Sequence, residues 1–278
     1  MRFGGGGRSS NLEDRRGFGG RAGMGIGGTA VLLILSLLFG RNLFNDVGVS
    51  PSAVSASNGG LSPADSAAEE PEVQVVSGVL DDVQQTWATL LPKYGTQYTD
   101  AKLVLFRDYT PTGCGTGQTA MGPFYCPVDQ KVYLDLGFFD ELRNKFGAAG
   151  DFAQGYVIAH ELGHHVQKLL GTEAQVHRAE QNDPQNANEY SVRLELQADC
   201  YAGVWGHSAQ QRGKLDPGDM QEGLNAAASV GDDRILSQAG RSVNAESFTH
   251  GSSAQRESWF KRGFDSGDPQ QCDTFAGR

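Results

Sequence analysis

Cysteine is scarce in this sequence, with four residues in 278, and no two of them form a Cys-x-x-Cys pair. A metal site built on paired thiolates is therefore disfavoured.

Positive charge is also scarce beyond residue 41. The whole chain has a net charge of −10, but residues 1–41 carry six arginines and two acids, which leaves the remainder at −14. Because contacts to phosphate require Lys and Arg, this acidity argues against nucleic acid as a partner.

Charge is absent from residues 22–40, whose centre, Ala30–Phe39, is strongly apolar. A stretch of this length is just sufficient to cross a hydrocarbon core of ~30 Å. The alternative is a cleaved signal peptide, but the best small-residue cleavage site, Val54-Ser55-Ala56, lies too far beyond the apolar stretch. We therefore predict a single retained transmembrane helix at 22–40.

The segments around this helix predict an orientation. Residues 1–21 are rich in Gly and Arg and too poor in apolar residues to fold alone. Because arginines precede the apolar stretch, residues 1–21 are predicted to be a cytoplasmic basic segment of a single-pass protein of the bacterial inner membrane. The rest would be periplasmic or otherwise extracytoplasmic, with a flexible linker at 41–71 and one domain at 72–278. A weak Gly-x-x-x-Gly signal at Gly23 and Gly27 leaves homo-oligomerisation open.

The most informative stretch of the domain is a predicted helix over 155–170, which contains His-Glu-x-x-His. His160 and His164 are one turn apart on one face, so both imidazoles can reach one metal ion. Glu161 is turned by about 100° from the first histidine, a poor position for a ligand but a suitable one for holding a metal-bound water. The alternative is a surface helix whose histidines are merely solvated.

A second predicted helix, over 190–205, carries Glu195 and Asp199 at i and i+4. Glu195 could complete a His-His-Glu set of zinc ligands, and Asp199 could accept the free ring N–H of a metal-bound histidine. The alternative is a pair of solvated acids. The apolar residues around them favour partly buried acids that have a partner.

These two motifs, with Gly-Pro-Phe-Tyr-Cys-Pro at 122–127, Val-Tyr-Leu-Asp at 132–135 and Phe-Thr-His-Gly-Ser at 248–252, carry a family resemblance. The chain resembles the bacterial "putative neutral zinc metallopeptidase" family, which is similar to the gluzincins typified by thermolysin. The resemblance covers the chain from about Leu80 onward and the start at 9–17. It implies that His160, His164 and Glu195 bind Zn²⁺ and that Glu161 is the general base.

Other residues have two interpretations each. His250 precedes a predicted helix capped by Ser252 and is a candidate catalytic donor to the developing oxyanion, or else a structural residue. His165 is predicted to pack or hydrogen-bond away from the metal face. The strand over 131–135 is either an ordinary sheet strand or, as the resemblance implies, an edge strand that pairs with an extended substrate.

The cysteines are disulfide candidates. Cys114 and Cys126 lie twelve positions apart in a Gly-rich loop on the predicted outer side of the membrane, and a disulfide between them is predicted. The alternative is a pair of free thiols. Cys200 and Cys272 remain as a second candidate pair.

The fold class predicted is α+β, a mostly helical zincin-like metalloprotease domain with a small sheet behind one membrane helix. The predicted function is that of a membrane-anchored zinc metalloendopeptidase that acts on peptide or protein substrates through a zinc-activated water. A non-catalytic, membrane-tethered zinc-binding module is the main alternative. An anchored interaction protein whose histidines bind no metal is a further one.

Overall fold

The computed structural model describes residues 1–4, 6–17 and 63–276, which are mostly helical. The helices are α1 (Pro63–Ala68), α2 (Glu70–Leu90), α3 (Gly137–Asn144), α4 (Asp151–Leu170), α5 (Thr172–Asn182), α6 (Ala187–Gln211), α7 (Asp219–Ser229), α8 (Asp232–Gln238) and α9 (Ser253–Ser266). The strands are β1 (Leu12–Asp14), β2 (Lys102–Phe106), β3 (Tyr109–Thr112), β4 (Gly115–Gln118), β5 (Phe124–Cys126) and β6 (Lys131–Asp135). Short 3-10 helices occupy Leu91–Tyr94, Thr119–Met121, Pro184–Asn186, Ala245–Ser247 and Pro269–Cys272.

Four of the strands form one mixed sheet in the order β1-β2-β6-β5. The strands β1, β2 and β6 run parallel, and β5 runs antiparallel to β6. The strands β3 and β4 form a separate hairpin. The predicted α+β class, helical with a small sheet, is confirmed. The edge strand next to α4, the metal helix that carries His160 and His164, is β5. The strand over 131–135 instead lies inside the sheet, between β2 and β5.

Small residues allow three helices to approach one another closely. A Cβ atom on Gly163 of α4 would lie 3.1 Å from the carbonyl oxygen of Ala198 in α6. The contact between α6 and α9 is tighter still, because a Cβ on Gly203 would lie 2.1 Å from the carbonyl oxygen of Phe260. At residue 203 a side chain would overlap the backbone of α9, so glycine is required there, whereas at residue 163 a Cβ would be in tight contact with α6. The crossing of α4 and α6 therefore occurs at the His-Glu-x-x-His motif.

Aromatic side chains fill the core behind α4. Phe152 stacks on Trp205 with ring centroids 5.3 Å apart, and Phe260 meets both Phe152 and Tyr156 edge-on. All four side chains are almost fully buried. This packing fixes α4, α6 and α9 relative to one another.

Two disulfides are present. One joins Cys114, in the turn between β3 and β4, to Cys126 at the end of β5. The other joins Cys200 of α6 to Cys272 in the last 3-10 helix. The first holds the hairpin against the edge strand, and the second holds the C-terminal part of the chain against α6.

The predicted transmembrane helix, 22–40, lies outside the described residues. Within the described part of the chain, no helix combines the length and the apolar character that crossing a membrane requires. The end of the predicted flexible linker requires a correction, because α1 (Pro63–Ala68) and the start of α2 (Glu70–Leu90) fall within it. Pro71 lies in the first turn of α2, where its missing N–H is not needed, and the acids of that turn favour a helix N-terminus.

The N-terminal segment, defined here as residues 1–4 and 6–17, also departs from the sequence-based expectation. It packs on the domain instead of forming a separate basic segment. Its strand β1 pairs in register with β2, and Phe3 and Arg16 are buried. Low apolar content did predict that the segment would not fold alone. Its order comes from backbone pairing and ion pairs with the domain, which composition does not register.

Candidate active site

Two helices bring the predicted metal-binding residues together. His160 and His164 lie on α4, Glu195 lies on α6, and one donor atom from each lies within 4.8 Å of the others. The Nε2 atom of His160 is 3.2 Å from one oxygen of Glu195, and Nε2 of His164 is 3.4 Å from the other oxygen. The carboxylate thus faces both imidazoles, in the arrangement that a shared cation requires.

The second nitrogen of each imidazole is held by another side chain. His160 Nδ1 is 2.8 Å from Asp199 Oδ1, and His164 Nδ1 is 2.8 Å from Gln167 Oε1. Gln167 is itself fixed, because its amide nitrogen donates to the carbonyl oxygen of Leu194. Because both Nδ1 atoms are engaged, both Nε2 atoms are directed at Glu195 and are available to a metal ion.

Asp199 is fully buried and lies at the centre of a network that its neighbours complete. The Arg256 guanidinium donates to both oxygens of Asp199, from Nε and from Nη2, each over 2.9 Å. The hydroxyl of Tyr156 donates to Oδ1 over 2.5 Å. Such a fork-to-fork pair fixes the plane of the carboxylate and, through it, the His160 ring.

The charges around His160 favour a cation at this place. Burial lowers the pKa of His160, but the Asp199 charge and the hydrogen bonds to Asp199 and Glu195 outweigh it and raise the pKa to about 10. Burial raises the pKa of Glu195, yet the nearby imidazoles bring it well below its ordinary value. The site therefore attracts positive charge, in the form of either a proton or a metal ion, and metal binding here would release protons.

Glu161 lies next to these ligands without forming part of the set. It is 8% exposed and lines the same cleft as His160 and His164. Burial raises its pKa above the ordinary value for Glu, although the two imidazoles act in the opposite direction. A carboxylate with a raised pKa is a stronger proton acceptor, which suits a general base.

His250 lies in the wall of the cleft and is oriented by Asp232. Its Nδ1 atom is 3.1 Å from Asp232 Oδ1. The other oxygen of Asp232 accepts hydrogen bonds from three consecutive backbone N–H groups, those of Thr249, His250 and Gly251. Burial lowers the pKa of His250, but the hydrogen bond to Asp232 and the charge of Glu195 raise it above its ordinary value.

The metal-binding residues open into a cleft of about 540 Å³. One wall comes from β5 and the loop before it, and other walls come from α4, α6 and the segment that carries His250. Its lining is largely apolar and includes Met121, Phe124, Tyr125, Phe138, Leu194 and Ile235. A largely apolar cleft with a few convergent polar groups is the usual form of a ligand site.

Several residues of the site were outside the sequence-based prediction. Tyr156, Gln167 and Arg256 carry no motif of their own. A signal for Arg256 exists, since it precedes the buried Phe260 by four residues and so lies on the apolar face of α9. His165 lies off the metal face, with Nδ1 near the Tyr125 hydroxyl and Nε2 near the carbonyl oxygen of Thr99. Ser252 caps α9 in a capping box with Gln255.

The donor set fits zinc. Two imidazole nitrogens and one carboxylate form a known ligand set for catalytic zinc sites, which keep one coordination position for water or substrate. Both histidines have the partner at the second ring nitrogen that zinc-binding histidines require. A second group of acids, Asp151, Asp219 and Glu222, also lies within 4.8 Å but contains no imidazole.

We expect Arg256→Lys to lower the affinity for zinc roughly 10- to 100-fold, because lysine cannot hold both oxygens of Asp199 and the His160 ring loses its fixed orientation. Competition with a chromophoric chelator measures this affinity. Arg262→Lys is the matched control, since Arg262 is an exposed residue of α9 that stacks over Trp259. Unchanged zinc affinity in Arg256→Lys would show that the network around Asp199 does not contribute to metal binding.

Comparison with known proteins places the chain among bacterial relatives. It is 49% identical over 287 aligned positions to "Uncharacterized protein YpfJ" of Escherichia coli K12, with 99% of each chain covered. It is 46% identical over 207 positions to "Uncharacterized protein Rv2575" of Mycobacterium tuberculosis, with 70% of this chain and 68% of that protein covered. No solved structure matches the chain significantly. The model of a family described as "Putative neutral zinc metallopeptidase", whose cofactor is zinc, matches residues 1–275, and the chain belongs to this family.

Proposed function

We propose that this chain is a zinc-dependent endopeptidase that hydrolyses internal peptide bonds of peptides or proteins. The observation that supports this most directly is the set of His160, His164 and Glu195 donor atoms within 4.8 Å at an open cleft. A purely structural zinc site is closed by protein ligands, whereas this one is open to a cleft with an additional carboxylate beside it.

Zinc held by His160, His164 and Glu195 would supply Lewis acidity, which makes a water molecule more acidic and polarises a carbonyl group. Glu161 is the general base in this proposal. It accepts a proton from the attacking water and then donates that proton to the nitrogen of the leaving amine. Burial raises its pKa above the ordinary value for Glu, which makes the carboxylate a stronger proton acceptor for the first step.

His250 is proposed to donate a hydrogen bond to the oxyanion that develops on the substrate carbonyl. Because Asp232 accepts at Nδ1, a neutral His250 ring keeps its proton on Nδ1 and offers no N–H at Nε2. The ring can donate from Nε2 only when it is protonated. The raised pKa of His250 therefore favours the donor form.

The substrate backbone is proposed to pair with β5. This strand is the last of the four-stranded sheet, and Phe124 and Tyr125 line the cleft. An edge strand offers unpaired N–H and C=O groups that an extended peptide can use, which is β-augmentation. The disulfide from Cys126 to Cys114 holds this edge in place.

The proposed function is tested by incubating the purified full chain with a proteome-derived peptide mixture, with and without a chelator. We expect new internal cleavages that disappear with the chelator and return when zinc is added back. Bound zinc with no cleavage of any peptide would contradict the proposal and support a non-catalytic zinc module instead.

His250→Asn is expected to lower kcat/KM at pH 7 by about 100- to 1000-fold, since the shorter side chain has no donor at the position of Nε2. The pH profile gives a second readout. Activity that needs protonated His250 is retained below the pKa of that residue and lost as pH rises through it. Asp232→Asn removes the carboxylate whose hydrogen bond helps to raise this pKa, so the alkaline limb should move to lower pH. An alkaline limb that does not move in Asp232→Asn would contradict the role of His250.

Glu173, near the start of α5, is expected to favour substrates with a basic side chain. It lines the cleft, and its Oε2 atom is buried without a hydrogen bond in the described structure. Its nearest cation there is Lys168, whose Nζ is 3.7 Å from Oε2, a longer distance than a hydrogen bond. A lysine or arginine of the substrate would supply the missing donor. We expect Glu173→Gln to lower kcat/KM about tenfold for Lys- or Arg-containing peptides, and to change it little for matched norleucine peptides.

The matched control for this preference is Glu180→Gln. Glu180 lies on the same helix but outside the cleft lining, where it approaches His177. It should leave the ratio between basic and norleucine peptides unchanged. An unchanged ratio in Glu173→Gln would exclude Glu173 from substrate selection.

A further inference from the structure

The N-terminal segment makes extensive contacts with the main domain, residues 63–276. Strand β1 pairs in parallel register with β2, with Leu12 opposite Leu103 and Asp14 opposite Leu105. The amide of Leu103 donates to the carbonyl oxygen of Asn11 over 2.9 Å. Without this pairing, the outer side of β2 would be an open sheet edge.

Charged side chains fix the segment at both sides of β1. The Arg16 guanidinium is 1% exposed and pairs with Asp14 of the same segment. It also pairs, over 2.6 Å, with Glu69, the residue that precedes α2. Lys131 of β6 reaches across to Glu13, with 2.7 Å between Nζ and Oε1. A buried guanidinium is stable only when its partners stay in place, so Arg16 ties the segment to the domain.

The first residues of the segment pack behind the metal helix. Phe3 is buried, and its ring lies 5.9 Å from that of Trp205. Its backbone lies directly on α2, because a Cβ on Gly78 would be only 2.1 Å from the Phe3 carbonyl oxygen. Glycine in a helix interior is unfavourable relative to alanine, so a helix glycine at this contact suits a site shaped to receive another stretch of backbone.

We propose that the N-terminal segment is an integral part of the main domain and that the two lie on the same side of any membrane. A chain that crosses a membrane once leaves the flanks of its crossing on opposite sides. In one molecule, the observed contacts are therefore incompatible with the N-terminal segment and the main domain lying on opposite sides of a membrane. The orientation predicted from the arginines, with residues 1–21 cytoplasmic and the domain outside, is incompatible with this docking.

The contact at Gly78 provides a test through the direction in which the melting temperature changes. It is carried out on the purified full chain. In a helix with free space, Gly→Ala raises the melting temperature, since alanine is the better helix former. With the segment docked, Gly78→Ala clashes with Phe3 and should lower the melting temperature and speed hydrogen exchange at the Leu103 amide. A raised melting temperature with unchanged exchange at Leu103 would overturn the proposal.

A charge exchange gives a second test that does not depend on a clash. Glu13→Lys should speed exchange at Leu103, because it opposes Lys131 with a like charge. Adding Lys131→Glu to the same chain restores an opposite pair and should bring back much of the protection. A double variant no better protected at Leu103 than Glu13→Lys would contradict the proposal.

The shared compartment is tested in spheroplasts that express the full chain with one added cysteine. Gly6→Cys marks the segment, and Gln210→Cys marks an exposed site at the end of α6. All four native cysteines are in disulfides, so a membrane-impermeant maleimide reports the added one. We expect both sites to react before lysis, or both only after it. Reaction of Gln210→Cys before lysis and of Gly6→Cys only after it would overturn the proposal and restore the single crossing.

Discussion

Glu161→Gln is expected to lower kcat for peptide hydrolysis at least about 1000-fold while the zinc content stays at that of the wild-type protein. Glutamine has nearly the shape of glutamate but cannot accept the proton of the attacking water. Glu161 is not among the three residues whose donor atoms face one another, so its replacement leaves the metal-binding set intact. Single-turnover kinetics with a fluorogenic peptide and elemental analysis of the same sample measure both quantities.

The loss should not come from unfolding. Burial raises the pKa of Glu161, which means that the folded protein disfavours its charged form. The neutral glutamine removes this unfavourable charge, so the melting temperature of metal-free Glu161→Gln should equal or exceed that of the wild type. Glu173→Gln is the matched control, as the same chemical change in the same cleft, and it should keep near-normal turnover of neutral peptides. Wild-type turnover in Glu161→Gln would show that Glu161 is not the general base.

The helices that carry the site follow from local sequence patterns. The spacing of His160, Glu161 and His164, together with a run of apolar residues, was sufficient to predict the centre of α4. The predicted boundary at 155 is four residues late, since α4 begins at Asp151. The first turn contains Phe152 and Ala153, which are buried against other helices. Tertiary packing thus extends the helix beyond its clearest sequence pattern.

The partners of the ligands could be predicted in part. Asp199 follows Glu195 by one helical turn, so its position beside a histidine could be inferred from spacing. Arg256 lies 57 positions further along the chain. Its approach to Asp199 depends on the close crossing of α6 and α9, where Gly203 meets Phe260. No local pattern predicts which two helices will cross. The network around Asp199 could therefore be identified only from the structure.

The N-terminal segment shows a different limit of sequence-based reasoning. Its arginines and glycines suggest a solvated, unfolded stretch, and the positive-inside rule assigns it a side of the membrane. Both arguments treat arginine as a solvated charge. In the structure Arg16 is buried between Asp14 and Glu69, and Asp14 has its pKa lowered to about 2, chiefly by the hydrogen bond from Arg16. Arg16 and Glu69 are more than 50 positions apart in the sequence, and composition alone does not show that their charges pair.

Glu195→Ala is expected to weaken zinc binding by more than about 100-fold and to remove hydrolysis at equal zinc concentration. The reason is that both imidazoles face this one carboxylate, with Nε2 atoms 3.2 and 3.4 Å from its oxygens. Two histidines alone hold zinc weakly, and loss of a direct ligand should exceed the roughly 10- to 100-fold effect of losing an outer partner. Chelator competition and elemental analysis measure the affinity and the stoichiometry.

The matched control is Glu189→Ala, on the same helix and 6 positions before Glu195, where the carboxylate pairs with the Arg193 guanidinium at the surface. It should keep zinc and activity, since an exposed pair of this kind contributes little.

The pH dependence of zinc binding adds a further constraint. Burial raises the pKa of Glu195, but the nearby imidazoles bring it well below its ordinary value, whereas the pKa of His160 is raised. As pH falls, protons therefore compete with zinc at the histidines before they reach Glu195. Stoichiometric zinc of wild-type affinity in Glu195→Ala would show that the third ligand lies elsewhere, and the pairing of α4 with α6 would then not be what holds the metal.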